Sequence, residues 1–519
     1  MFPPLPQEKA AIILEEVILA IKEGKLSLKQ IARPSQERKN QWVMLGVLVC
    51  RDKDGNEVNL VTNSGNARKL KVENGKENVW EDFPPEERDS QVSSSNFQLS
   101  SFNFQLVPPI VSAEEIEEAL SENDKRIHEL TEKIASESVH SESGNMNFEL
   151  KKLRTEREKL CTESLEKVHA LYNFHCIDGK ILSLKEICAR YNQGKLPPTG
   201  TGDCCAPKLF DYAFSHELFP ISLAETAYTE TSGNDCSTAE GVPLAVWSNS
   251  GSQTSTTTNV LAESVTAKPD RPTPNPSLLT PPCDERCGIL LPAMLSLRIL
   301  YRDETICVVN KESGILSVPG RGEDKKDCVE SRFRRLFGDS VEIAQPAVHR
   351  LDMETSGIMI LAFTKEAHRE LNRQFEAKEV QKEYVALLDG VLAKKGISQT
   401  GSMELFFRLD VENRPHQIWD AENGKSAVTQ WQILDVERYH APDGSTRNAT
   451  RVLFMPHTGR THQLRLASAD SHGFGTAIIG DTLYGHCDEG ERLMLHAQKI
   501  TFTHPLTGRQ MTIDCPPEF

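Results

Sequence analysis

Apolar residues recur at helical spacing from Ala10 to Ile21, which predicts an amphipathic helix near the start of the chain. Residues Trp42 to Leu60 read as two strands around the turn pair Asp54-Gly55, and Glu86 to Phe102 read as polar loop. Ser112 followed by Glu115 has the spacing of a capping box, and Ile116, Leu120, Ile127, Leu130 and Ile134 then continue at helical intervals. After a break at 136–147, which contains Gly144, a second charged stretch carries Leu150, Leu153, Leu160, Leu165 and Val168, so the two predict an antiparallel helical hairpin. From Thr226 to Pro282 the pattern lapses into Ser, Thr and Pro, with too few apolar side chains to offset ordering entropy. It resumes at Leu297 with a strand, an acidic turn and a second strand, and alternation extends from Val308 to Val318. Beyond it Ile358–Ala362, Lys382–Gly390 and Arg451–Met455 read as strands, while Lys365–Lys378 reads as a helix with Ala367, Leu371 and Phe375 on one face. The division this predicts is a small α/β region at 1–110, the hairpin and an extension at 111–225, a flexible insertion at 226–290 and a mixed α/β domain at 291–519.

Charge narrows the classes of function. The 519 residues hold 59 Lys+Arg against 75 Asp+Glu, a net of −16, which argues against gripping nucleic acid by bulk positive charge. Any such contact is expected to be local, and the densest basic cluster is Lys325, Lys326, Arg332, Arg334 and Arg335. No apolar run reaches 18 residues and no leader-like segment opens the chain, so a cytoplasmic protein without a membrane partner is expected. Thirteen scattered cysteines fit reduced thiols better than a disulfide framework. Cys204 and Cys205, with Cys283 and Cys287, could in principle form a zinc site. Adjacent cysteines are awkward as two ligands of one ion, so free thiols and no metal are expected.

The segment with the clearest chemistry is His349-Arg350-Leu351-Asp352-Met353-Glu354-Thr355-Ser356-Gly357, a carboxylate on a loop feeding a buried strand. It resembles the signature loop of RluA-type pseudouridine synthases, which detach uracil from ribose in RNA and reattach it through carbon. Lys382-Glu383-Tyr384, Thr458-Gly459-Arg460-Thr461-His462-Gln463-Leu464-Arg465-Leu466, Ile479-Gly480-Asp481 and Leu495-His496-Ala497 continue the likeness over about 225 residues. Residues 171–223, with the run Gly200-Thr-Gly-Asp-Cys-Cys-Ala-Pro-Lys208, resemble the extension of a longer bacterial subgroup.

The resemblance implies a bent, mainly antiparallel sheet with flanking helices, no cofactor, and ribosomal or transfer RNA as partner of a monomer. It implies that Asp352 is the catalytic carboxylate, that Tyr384 stacks on the uracil and is a candidate base, and that Arg465 forms a salt bridge to Asp352. Arg350 is expected to fill the stack left by a flipped base, and Arg460, Thr461, His462, Lys325, Lys326 and Arg332 to lie near phosphates. Two positions depart from the pattern. Glu312 stands where proline is usual, which should only loosen a turn, and Ala467 stands where histidine is usual. A retaining glycosidase would need a second motif-borne acid, and a zinc deaminase a His-x-Glu and Pro-Cys-x-x-Cys pair. Neither is present. The competing class is a non-catalytic RNA-binding or ribosome-assembly factor that keeps the synthase fold.

Overall fold

The computed structural model describes residues 3–30, 43–64, 68–72, 97–99, 102–139, 148–195, 197–198, 200–228, 279–322 and 325–519. The front half begins with α1 (Glu8–Lys22), whose Ala10, Leu14, Val17 and Ile21 are buried. Strand β1 (Leu26–Gln30) pairs with β4 (Arg68–Val72), and β2 (Val43–Arg51) forms a hairpin with β3 (Glu57–Asn63). The Asp52 carboxylate caps the hairpin turn by accepting the Asp54 and Asn56 amides, and Gly55 supplies the positive φ the turn requires. Next come β5 (Phe97–Leu99) and β6 (Phe102–Leu106), which occupy the end of the stretch expected to be polar loop; residues 86–96 of that stretch lie outside the described residues.

The helical hairpin is α2 (Ala113–Val139) and α3 (Phe148–Leu171). Ser112 and Glu115 exchange both capping-box bonds, at 2.8 and 3.2 Å. Asn123 meets Ser164 at 3.1 Å and Arg126 meets Glu156 at 2.8 Å across the pair. The chain then forms β7 (Asn173–His175), β8 (Ile181–Ser183), α4 (Leu184–Tyr191), α5 (Cys205–Ser215) and β9 (Phe219–Tyr228). Strand β9 pairs with β2 from Val43↔Tyr228 to Arg51↔Phe219, completing a sheet of order β5-β6-β3-β2-β9. Residues 1–110 and 111–225 therefore share one sheet, and the line drawn between them in the sequence is not a boundary in space. Of the Ser/Thr/Pro-rich stretch, residues 229–278 lie outside the described residues.

The second half starts at α6 (Cys287–Met294), followed by β10 (Arg298–Arg302), β11 (Ile306–Lys311), α7 (Val329–Phe337), β12 (Ser356–Ala362), α8 (Lys365–Glu376) and β13 (Gln381–Asp389). It continues through β14 (Thr400–Leu409), β15 (Gln417–Trp419), β16 (Lys425–His440), β17 (Thr446–Pro456), α9 (Gln463–Ala469), β18 (Leu495–Thr503) and β19 (Gln510–Asp514). The order is β10-β11-β12-β18-β13-β17-β16-β14-β15, with β19 on β18. Every pairing is antiparallel except β12 with β18, so the mainly antiparallel mixed α/β fold implied by the resemblance is the fold observed. The strand expected to run on to Val318 stops at Lys311, because residues 312–318 are spent on holding a neighbouring loop rather than on a ladder.

The two halves are not beads on a string. One continuous core joins Leu5, Leu48, Phe174, Leu209 and Phe210 of the front to Leu290, Met294, Val309, Phe333, Met359 and Leu361 behind it. Phe333, Phe337 and Phe363 pack mutually at centroid distances of 4.9–5.0 Å within this core. Glu312 is a further tie: its carboxylate accepts Arg190 Nε at 2.8 Å and the Tyr191 hydroxyl at 2.6 Å from the end of α4. The departure from proline thus does more than loosen a turn; it moors the extension beside Lys311. Because Arg190 is half exposed, Glu312→Ala is expected to cost only about 1 kcal/mol. Faster amide exchange confined to α4 would be its signature, and unchanged exchange there would remove the mooring role.

Candidate active site

The Asp352 loop is held by side chains that follow β11. Lys311, only 2% exposed, donates to the carbonyls of Glu312, Ile315 and Met353 at 2.8, 2.6 and 2.8 Å, which uses all three ammonium protons. Ser313 donates to the Glu354 carbonyl at 2.6 Å, and Ser317 exchanges both bonds with the backbone of Leu351 at 2.7 and 2.9 Å. The loop's first residue is fixed from the other side: His349 stacks on Phe375 at 4.8 Å, and its Nε2 accepts the Ile360 amide at 3.1 Å. Burial pushes the His349 pKa down to about 3, so it is a neutral acceptor and not an acid-base group.

Three carboxylates gather here, and their fates differ. Asp481 is fully buried and receives Arg465 through Nε at 2.9 Å and Nη2 at 2.6 Å, plus the Leu483 and Tyr484 amides at 2.9 and 3.0 Å. Glu354 makes an ion pair with the same Nη2 at 2.7 Å and accepts the Thr482 hydroxyl at 2.5 Å. Asp352 receives no hydrogen bond to its carboxylate from any described residue; its side chain is 28% exposed, and the nearest cationic candidate is His462 Nε2 at 4.0 Å. The expected Arg465–Asp352 salt bridge is therefore corrected. Arg465 pairs with Asp481 and Glu354 through Nε and Nη2 and acts on Asp352 through its charge, because the buried Asp481 fixes the guanidinium toward itself.

His462 also departs from expectation. It was placed near phosphates, yet it is 9% exposed and faces Asp352. It sits at φ +55° at the head of α9, a left-handed conformation that costs energy for a non-glycine residue and turns the ring inward. The Tyr484 oxygen accepts the Gln417 amide at 2.8 Å and lies 2.8 Å from His462 Nδ1. Donation of the Tyr484 proton to Nδ1 assigns the ring proton to Nε2, the nitrogen aimed at Asp352. Burial lowers the His462 pKa against the opposing pull of Asp352.

Tyr384 reaches the site through sheet register. Ala497 of β18 is paired with Gly357 of β12 on one side and with Tyr384 of β13 on the other. Gly357 is required at this crossing: at φ +119°, an added Cβ would stand 2.4 Å from the Ala497 carbonyl oxygen. Burial, then the charge of Asp352, pushes the Tyr384 hydroxyl well above the usual phenol range. It is a protonated phenol and, as such, no proton acceptor in the resting site.

Of the residues expected near phosphates, Lys325, Lys326, Arg460 and Thr461 are exposed, as is Arg350, expected to take the place of the flipped base. Arg460 Nε donates to the Ser426 carbonyl at 3.0 Å, and Gln463 ties the same loop to β16 through Val428 and Thr429. Arg332 is a correction: it is 8% exposed and gripped by Asp327 at 2.6 and 2.8 Å, with Nη1 on the Ser296 carbonyl at 3.2 Å. The helical period turns Arg332 inward with Phe333 and Leu336. A cavity of about 1350 Å³ lined by Arg51, Arg302, Arg334 and Arg335 lies between the two halves and does not include Asp352. Lys311, Glu354, Asp481 and Tyr484 carry no role in the sequence reading; Glu354 and Asp481 lie within the quoted family motifs, but nothing local ties them to Arg465.

The sequence profile of the family described as RNA pseudouridylate synthase matches residues 305–470. The dual-specificity RNA pseudouridine synthase RluA of Haemophilus ducreyi is 42% identical over 226 residues, which is 43% of this chain and 94% of that one. Its counterpart in Escherichia coli is 41% identical over the same span. A solved structure of human RNA pseudouridylate synthase domain containing 1 is 28% identical, covers 43% of this chain and 84% of its own, and has a TM-score of 0.35. The chain belongs to the RluA-type RNA pseudouridine synthases, and it is an enzyme that isomerises uridine to pseudouridine in RNA. The reading as a non-catalytic assembly factor finds no support in these matches. Among the described residues no helix is long and apolar enough to cross a membrane.

Lys311→Met tests the loop scaffold. Three buried carbonyls would lose their donor, and turnover is expected to fall on the order of 10²-fold with RNA affinity little changed, as for a displaced catalytic group. Burial also pulls the Lys311 pKa down to about 7, against Asp352 and Glu312. A folded value below the unfolded one means the unfolded chain holds more protons between about pH 7 and 10, so this residue makes stability rise with pH across that window. In Lys311→Met that slope should flatten in urea titrations; an unaltered slope would assign it elsewhere.

Proposed function

We propose that Asp352 is the catalytic carboxylate, that Tyr384 is the platform on which the flipped uracil rests, and that Arg465, with Asp481 and Glu354, positions the loop. The observation that carries this reading is the division of labour among the three carboxylates: two are held by one buried arginine, while Asp352 is partly exposed and accepts from no donor among the described residues. A carboxylate so placed can attack or electrostatically support the ribose carbon as its bond to N1 of uracil breaks. The uracil then turns, C5 bonds to the ribose, and the C5 proton leaves. Because Tyr384 is protonated, Asp352 is the better acceptor for that proton once the new bond has formed, with His462 Nε2–H steadying it.

Arg350, exposed and beside Asp352, is suited to occupy the place of the flipped base. Lys325, Lys326, Arg460 and Thr461 are the exposed polar residues through which a phosphate backbone would be held, a local footprint consistent with the net acidity of the chain. Relatives named as dual-specificity RNA pseudouridine synthases support RNA as the substrate class; ribosomal and transfer RNA, acted on by a cytoplasmic monomer, complete the proposal. RNA tritiated at uracil C5 gives the test: release of tritium to water from ribosomal or transfer RNA supports the assignment. No release from either pool would sink it.

A further inference from the structure

We propose that Cys204, Cys283 and Cys287 form a zinc site that fastens the front half of the chain to the helix leading into the catalytic sheet. The objection to a metal here was the adjacency of Cys204 and Cys205, and the fold removes it by sending the two side chains apart. Cys205 is buried against β2, its Sγ 3.3 Å from the Met44 carbonyl and its Cβ 2.5 Å from where a side chain on Gly46 would begin. Cys204, the residue before α5, turns the other way, and its sulfur lies with those of Cys283 and Cys287 in a group whose members are all within 4.8 Å of one another. Tetrahedral zinc with bonds of about 2.3 Å sets sulfur atoms about 3.8 Å apart, so a small contraction suffices.

Local geometry offers ionised sulfur at Cys283 a donor and places Cys204 and Cys287 at helix starts. The Cys287 amide donates to Cys283 Sγ at 3.4 Å, a bond that strengthens when the sulfur is ionised. Cys204 and Cys287 stand at the N-terminal ends of α5 and α6, where the helix dipole is positive. The neighbouring buried acid, Glu225, is engaged elsewhere, accepting the Ala206 amide at 3.0 Å. Burial grades from Cys287 (buried) through Cys204 to Cys283 (exposed), which leaves an open side for entry of the ion and for a solvent molecule as fourth ligand. Binding releases the three thiol protons to solvent and changes no oxidation state. Mechanically, the ion would cross-link α5, which packs under β2, to α6, whose Met294 carbonyl accepts the Ile177 amide and which leads directly into β10.

Elemental analysis of the full chain, purified under reducing conditions without chelator, should find about one zinc per molecule. Cys204→Ser, Cys283→Ser and Cys287→Ser should each reduce this to below about 0.1, whereas Cys205→Ser and Cys161→Ser should leave it unchanged. Since Cys205 is as buried as Cys287 and more buried than Cys204 and Cys283, a loss caused by misfolding would strike Cys205→Ser at least as hard. Cobalt added to metal-free protein should give the ligand-field and thiolate charge-transfer bands of a tetrahedral, sulfur-rich site, and chelator should lower the melting temperature without touching Asp352. Absence of metal after zinc reconstitution overturns the proposal. So does a disulfide among the three cysteines in the reduced protein, or equal loss of zinc in Cys205→Ser.

Discussion

Asp352→Asn should lower turnover on the order of 10⁴-fold or more, as removal of a group that meets the reacting carbon does. The same substitution should leave the fold and RNA affinity nearly unchanged. Among the described residues none donates to this carboxylate, and its side chain is partly exposed, so an isosteric amide leaves no buried partner unsatisfied. The variant should also report electrostatically. Asp352 is one of the charges that hold the His462 pKa up against burial, so in Asp352→Asn that histidine should titrate lower still, as followed by its ring proton shifts. Retained turnover would strip Asp352 of its role. An unmoved His462 titration would mean that the two groups do not face each other in solution.

Arg465→Met is the change expected to cost most in stability, about 4 kcal/mol. It strands Asp481, which is fully buried, and releases Glu354, so the loop beside Asp352 loses its anchor as the core acquires an unpaired charge. Activity should vanish with it, although Arg465 does not touch the Asp352 carboxylate in this structure. Pairing Arg465→Met with Asp481→Leu should recover much of the stability, because the charge that made the single change costly is gone. It should not recover turnover. Urea midpoints across the four proteins of this cycle give the coupling; a single variant as stable as the parent would show that the buried pair is not what holds the site.

The shared core changes how the front half can be studied. Cutting the chain at residue 290 to ask whether residues 1–290 select the uridine would divide α6 and expose Leu291, Met294, Val309 and Phe333 to water. Point changes at Glu312, Arg190 or the three clustered cysteines perturb the same connection without opening the core.

Much of the chemistry was legible in the order of residues. Asp352, Tyr384 and Arg465 stand in local motifs, and the strands and helices around them follow from alternation and helical period, which are properties of consecutive side chains. The helical hairpin was readable for the same reason, down to the reciprocal bonds of Ser112 and Glu115. What local order could not convey was partnership. Arg465 and Asp481 lie 16 positions apart and Lys311 and Met353 lie 42 apart, and no period relates them. The register of β18 between β12 and β13 decides that Tyr384 and the Asp352 loop meet, and the inward turn of α7 decides that Arg332 serves Asp327 and not a phosphate. The sequence by itself singled out Asp352 among the carboxylates, because that is a matter of motif. Only the tertiary structure decided which carboxylates are consumed by Arg465, which cysteine of an adjacent pair faces its fellows, and that the front half shares the catalytic core. Those are outcomes of long-range packing, in which a side chain's partner is set by where the backbone has already been carried.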